Sequence, residues 1–209
     1  MTVQIDTLPL GPLETNCYVI RDADACAVVD PGMFPEPLIA MLQARNAAPD
    51  RVLLTHGHCD HIAGAGDVCD AFEAVRIVCP EGDAPMLGDP QKNLSAPFGM
   101  PMTSPEADEL LRPGDVVTVG ESQWRVLDTA GHTAGGVSYY CEAAGVAIVG
   151  DALFACGIGR TDVPGGDSAL LIRNIREQLL VLPDATRVLP GHGPETTIGV
   201  ERETNPFLL

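Results

Sequence analysis

Five histidines stand in this 209-residue chain, and three of them crowd into Thr55-His56-Gly57-His58-Cys59-Asp60-His61. The other two are His132, in Ala130-Gly131-His132-Thr133, and His192, in Pro190-Gly191-His192-Gly193. Imidazole and carboxylate are donors for zinc first, with iron or manganese as alternatives, and no thiolate is required. His56 and His58 alternate like strand residues and can face one point. Asp60 and His61 lie past a bend and reach a neighbouring point. Counting donors then divides the set. His56, His58 and His132 suit one divalent ion, Asp60, His61 and His192 a second, and Asp151, with two oxygens, is left to bridge them. Ions about 3.5–4 Å apart can share a water and lower its pKa to roughly 7, which supplies hydroxide for hydrolysis.

Strand ends must position these groups. Val52-Leu53-Leu54, Trp124-Arg125-Val126-Leu127, Val146-Ala147-Ile148-Val149 and Val188-Leu189 are short apolar runs, and each stops just before a ligand cluster. A sheet gathers such loops along one edge. Asp30 ends a similar run, Ala27-Val28-Val29. It can accept the outer ring N–H of a ligand histidine, although an ordinary turn aspartate fits the spacing nearly as well. The Cys59 side chain is expected to point away from the ions, and Tyr139 and Tyr140 to serve the core.

Alternation and turn residues predict strands over 3–8, 16–21, 26–30, 52–55, 76–79, 115–119, 122–128, 136–141, 145–149 and 187–189. Helices are expected over 35–47, 62–73 (starting after His61), 81–87 and from Asp167-Ser168 to about Leu182, with a short terminal segment after the last strand. Two sheets packed face to face with helices outside fit that order. Residues 88–106, broken by Pro90, Pro97, Pro101 and Pro105, read as a flap over the site.

The net charge of −17 argues against nucleic acid and anionic membranes as partners, while bound cations still allow an anionic small molecule. Eleven of the twelve basic residues are arginine, Lys92 being the exception. The N-terminal residues lack signal-peptide character, and no apolar run is long enough to span a membrane. Seven cysteines without a C-x-x-C spacing suggest reduced, buried thiols in a cytoplasmic protein. The oligomeric state is not legible.

The histidine motif, with Asp30 before it and His132, Asp151 and His192 after it, resembles the metallo-β-lactamase fold superfamily. That resemblance implies an α+β fold, a four-layer αββα sandwich with metals at one edge between the sheets. Gly157-Ile158-Gly159-Arg160-Thr161-Asp162 and Pro190-Gly191-His192-Gly193-Pro194-Glu195-Thr196-Thr197-Ile198-Gly199 through Asn205-Pro206-Phe207 are similar to short glyoxalase II-like, or hydroxyacylglutathione hydrolase-like, enzymes. Such enzymes cleave thioesters. The likeness implies one domain over 1–209 acting on a small-molecule thioester. The first ion would polarise the carbonyl, Asp60 would orient the hydroxide, and segment 154–162 would shape the pocket. With only 17 residues after His192, a C-terminal helical glutathione-binding domain is not expected. Ala130, Ala134 and Gly136 also replace prolines and a serine common around the fourth histidine. The alternatives are an iron persulfide dioxygenase, with one iron on His56, His132 and Asp151, and a lactone or β-lactam hydrolase using the same hydroxide. A nuclease or a non-catalytic binding module fits the charge and the full ligand set poorly.

Overall fold

A computed structural model describes residues 3–209. The chain opens with β1 (Gln4–Leu10), β2 (Thr15–Asp22) and β3 (Ala25–Val29), an antiparallel meander. Helix α1 (Glu36–Ala44) crosses to β4 (Arg51–Leu53), which runs parallel to β3. Helices α2 (Cys59–Ile62) and α3 (Ala65–Ala71) lead to β5 (Arg76–Pro80), and α4 (Ala84–Leu87) and a long loop to β6 (Glu109–Leu111). These six strands form the first sheet, in sequence order.

The second half supplies β7 (Val116–Val119), β8 (Ser122–Asp128), β9 (Val137–Cys141) and β10 (Val146–Gly150). A small hairpin, β11 (Leu153–Phe154) and β12 (Gly157–Ile158), precedes α5 (Ser168–Asn174). The chain ends in β13 (Arg187–Pro190), β14 (Thr196–Thr197) and α6 (Ile198–Thr204). The second sheet runs β14-β13-β10-β9-β8-β7.

Three apolar clusters separate four layers, so the expected αββα sandwich is the observed one. Between the sheets lie Ile20, Val29 and Leu53 from one and Trp124, Tyr139 and Ile148 from the other. Outside the first sheet, Val28, Val52 and Ile77 meet Leu38, Leu42 and Ile62 of the helices. Outside the second, Ala147, Val149 and Val188 meet Leu171, Ile175 and Ile198. Neighbouring residues of one strand thus enter different clusters, because successive side chains point to opposite faces. That explains why the central strands read as unbroken apolar runs.

Several boundaries differ from the sequence expectation. The helix expected after His61 begins instead at Cys59, so Asp60 and His61 sit in its first turn, and Ala63-Gly64 divides it from α3. The expected helix over 81–87 shrinks to α4 behind a turn at Glu81-Gly82-Asp83. The helix from Ser168 changes at Ile175 into a π-helical turn that ends at Leu179, short of Leu182. Hairpin β11–β12 and helix α6 were not anticipated, since two-residue strands and a seven-residue helix carry almost no periodic signal.

Segment 88–106 has no regular element, as its prolines dictate, yet side chains order it. Asn93 and Ser95 are fully buried, and Asn93 Nδ2 donates to Met102 O at 3.1 Å. The Asn93 carbonyl accepts the Cys59 N–H at 2.8 Å, which seats the segment against the start of α2. No described helix is long and apolar enough to cross a membrane.

Candidate metal centre

Strands β3, β4 and β5 of the first sheet and β8, β10 and β13 of the second all end at one edge of the sandwich. Beyond β4 and a bend at Thr55, His58 is extended at φ −70° and ψ 147°, and His56 and His58 bring their donor atoms to one place. Gly57 lets this loop pass Met86, whose Cβ would lie 2.7 Å from any added Cβ. Asp60 and His61 then turn away on α2. His132 follows β8, Asp151 follows β10 and His192 follows β13.

The two expected triads are brought together. His56, His58 and His132 offer donor atoms within 4.8 Å of one another, and so do Asp60, His61 and His192. The first triad packs edge to face, with ring centroids 4.8 Å apart for His56 and His58 and 4.6 Å for His58 and His132. Asp151 lies between the triads: its Oδ1 is 3.3 Å from His61 Nε2, and its Oδ2 is 3.6 Å from both His132 Nε2 and His192 Nε2. Gly191 is required beside it, because a Cβ there would collide with Asp151 Oδ1 and meet His61 Cε1 at 2.7 Å.

Whether a cation fits is answered by the unpartnered atoms. The Nε2 atoms of His56, His58, His61 and His132 and Oδ1 of Asp151 are buried without a hydrogen-bond partner. Buried polar atoms are ordinarily paired, so five orphans converging on one place form a cavity of lone pairs suited to cations.

Outer contacts decide the tautomers. The Thr55 hydroxyl donates to Asp30 Oδ2 at 2.6 Å, and its oxygen lies 3.0 Å from His56 Nδ1. His61 Nδ1 lies 3.0 Å from the same carboxylate oxygen. With the hydroxyl proton committed to Asp30, both Nδ1 atoms must donate, so each ring, when neutral, presents its Nε2 lone pair inward. Asp30 thus lies behind the candidate ligands, touching His61 directly and His56 through the Thr55 hydroxyl. The third compact group, Asp30 with His56 and His61, is this hydrogen-bond chain. His132 Nδ1 donates to Arg160 O at 2.7 Å and His192 Nδ1 to Leu13 O at 3.0 Å.

Electrostatics follow burial and crowding. Burial, then the His132 ring, push His58 down to about 3, and burial with neighbouring rings holds His56 low as well. Burial works against a charge on His61, but Asp60, Asp151 and Asp30 outweigh it and raise it well above the usual imidazole range. Asp60 is held low against its burial by His61 and His192.

The structure adds residues that sequence reasoning missed. Asp83 is fully buried between the loops. It accepts the Gly57 N–H at 3.0 Å, the Thr133 hydroxyl at 2.6 Å and the Gly135 N–H at 2.7 Å. Its signal was weak, since Pro80-Glu81-Gly82 separates it from strand residues Ile77-Val78-Cys79, whereas Asp30 follows its own run directly. The Thr15 hydroxyl donates to Asp60 Oδ2 at 3.0 Å. Asn16 Nδ2 donates to Pro190 O and Gly193 O at 3.0 and 2.9 Å, and the Tyr18 hydroxyl to Pro190 O at 2.6 Å. These bonds carry the His192 loop on the opposite sheet.

Cys59 belongs to none of the three compact groups, and its buried thiol is pushed up to about 11 by burial and Asp60. Tyr139 and Tyr140 are buried, the first with its hydroxyl on Leu54 O at 2.6 Å. All seven cysteines are free; five are buried, Cys69 is half-buried and Cys156 is exposed, so uniform burial was too strong an expectation.

Comparison with known proteins agrees with this arrangement. The family model described as the metallo-beta-lactamase superfamily matches residues 10–192. The Bacillus subtilis protein named probable metallo-hydrolase YqgX is 37% identical over 202 residues, 96% of this chain and 95% of that one. Haemophilus influenzae hydroxyacylglutathione hydrolase GloC is 34% identical over 213 residues, covering 99% and 98%. Among solved structures, BLEG-1 B3 metallo-beta-lactamase superposes with TM-score 0.94 at 41% identity, covering 98% of this chain and 99% of that one. A protein crystallised in a di-iron-bound form, TTHA1623, gives TM-score 0.89 at 34% identity, covering 97% and 100%. With its His and Asp cluster at the strand ends and the family model matched across most of its length, the chain belongs to the metallo-β-lactamase superfamily, as a metallo-hydrolase.

Proposed function

We propose that this protein hydrolyses small-molecule thioesters of the hydroxyacyl-glutathione type at two divalent ions. One observation carries the reading: two complete donor triads flank a single carboxylate, Asp151, and the Nε2 atoms of His56, His58, His61 and His132 and Oδ1 of Asp151 are left unpartnered. His56, His58 and His132 would hold one ion, Asp60, His61 and His192 the other, and Asp151 would lie on both. Bound there, the ions supply an ionised water at neutral pH and positive charge for the substrate carbonyl.

The chain's own residues orient and exclude. Asp60 Oδ2, fixed by the Thr15 hydroxyl at 3.0 Å and facing His192 Nε2 at 3.1 Å, can hold the attacking water by its proton. Met86, Lys92, Ala134 and Pro164 line a neighbouring cavity of about 350 Å³, where the 88–106 segment would act as a wall for substrate.

Proton supply favours a thioester over an amide or lactam. All five histidines lie in the cluster, the Tyr18 and Tyr139 hydroxyls are spent on backbone carbonyls, and Lys92 faces Asp89 at the surface. A thiolate leaves without protonation, whereas an amine needs a proton in the transition state. A second reading, β-lactam hydrolysis, is favoured by the TM-score of 0.94 to a B3 metallo-beta-lactamase.

Purified protein loaded with zinc, iron or manganese should bind about two ions per chain and hydrolyse S-lactoylglutathione faster than a cephalosporin. Hydrolysis of the lactam alone would move the assignment to the second reading. One iron per chain with oxygen uptake on a persulfide substrate would overturn both.

A further inference from the structure

The segment from Asp151 to Arg160 leaves the metal centre and returns to it. Asp151 opens the segment, and the Arg160 carbonyl closes it on His132 Nδ1 at 2.7 Å. Between them the hairpin pairs Leu153 with Ile158 and Phe154 with Gly157. Phe154 lies 6.4 Å, ring to ring, from His192, so the hairpin forms a wall beside the candidate ligands. Strands of two residues cannot hold such a wall in water unaided.

The last helix supplies the support. Glu201 and Asn205 are fully buried. The Cys156 N–H donates to Glu201 Oε2 at 2.9 Å, and Asn205 Nδ2 donates to Gly157 O at 3.0 Å and to Glu201 Oε2 at 2.8 Å. The Thr196 hydroxyl donates to Glu201 Oε1 at 2.7 Å. At the tip Cys156 adopts φ 57°, a conformation that L-residues keep only where the surroundings hold it. A buried carboxylate whose partners are all neutral donors is costly to desolvate, and packing alone would be served by an apolar side chain. The carboxylate grips the hairpin turn directly at Cys156 N–H and through Asn205, which itself holds Gly157 O.

We propose that Glu201 and Asn205 are positioning residues that latch the 151–160 hairpin over the metal centre and so set how tightly the cleft holds its substrate. This rests on the metallo-hydrolase reading for what the cleft does, but the latch itself is testable without turnover.

The experiment compares wild type, E201A, N205A and the exposed-site control E203A by amide hydrogen exchange, metal content and thioester kinetics. In E201A and N205A, exchange at 153–158 should rise by about tenfold or more while the sheets stay protected. Metal content should hold, with KM raised about fivefold and kcat changed less. E203A should match wild type. Unchanged exchange at 153–158 in both variants, or a loss of kcat and metal together with KM unchanged, would overturn the latch. If E201A does not fold, N205A, which keeps the carboxylate, decides.

If wild type cleaves no thioester, the proposed function fails separately. The latch is then judged by exchange and by thiophenol binding to cobalt-loaded protein, read from its charge-transfer band. Weaker binding in both variants supports the latch, and equal binding with equal exchange overturns it.

Discussion

The Thr133 hydroxyl donates to Asp83 Oδ2 at 2.6 Å, and through this bond the first sheet reaches the loop that carries His132 on the second. The same carboxylate accepts the Gly57 N–H, between His56 and His58, at 3.0 Å. One buried side chain therefore sets the separation of three histidines delivered by different sheets. Burial raises its pKa, against the Thr133, Gly57 and Gly135 bonds that favour the charge.

Replacing Asp83 by Ala leaves two backbone N–H groups and a hydroxyl without their acceptor. Each orphaned buried donor costs about 1–3 kcal/mol, so D83A should melt well below wild type. Metal affinity should fall about 10- to 100-fold, as for other outer partners of ligand groups. D83N, which keeps one acceptor oxygen, should fall between the two. Thermal melts and chelator competition measure both effects, and a D83A protein with wild-type affinity would show that the loops hold themselves.

The division into two triads predicts selective losses. H58A removes a donor from the first triad only and H192A from the second only, so each should bind about one ion where wild type binds two. Asp151 remains in both variants and would give the surviving triad a fourth donor. Chelator treatment of wild type should lower its melting temperature, since a ligand bound only by the folded state stabilises it. Elemental analysis after gel filtration reads the stoichiometry. Complete loss of both ions in either variant would show one cooperative cluster.

The buried thiols predict an alkaline limit. Burial pushes Cys26 from 9.0 up to about 11. A folded-state pKa raised above the unfolded value contributes stability that is intact below pH 9.0 and lost as pH rises towards about 11, because only the unfolded chain ionises in that window. Urea midpoints should therefore fall between pH 9 and 11, and less steeply in C26A. At pH 8, where the buried thiols stay protonated, a thiol reagent should titrate Cys156 first, half-buried Cys69 more slowly and the five buried thiols only after denaturation. Rapid reaction of more than two thiols in native protein would contradict this burial.

Much of this site was legible before any fold was known, for a definite reason. Imidazole and carboxylate have few uses at the end of an apolar strand, so His56, His58, His61, His132, His192, Asp60 and Asp151 announced a metal chemistry by type and position. Their division into two groups needed only the alternation of an extended chain and a bend after it. Asp30 was half visible, as a strand-end aspartate with a plausible partner. What the chain's local pattern did not carry was everything made by contact between distant segments. Asp83 binds Thr133, Asn16 binds Gly193 and Glu201 binds Cys156, and no periodicity links the members of such pairs. The start of α2 was displaced because Asn93, from a loop without periodicity, caps the Cys59 N–H. Residue type and strand ends determined which atoms can bind metal; only the packing of two sheets face to face decided which of them meet, which tautomer each histidine holds and what walls surround them, because those depend on hydrogen bonds between segments that local sequence pattern does not link.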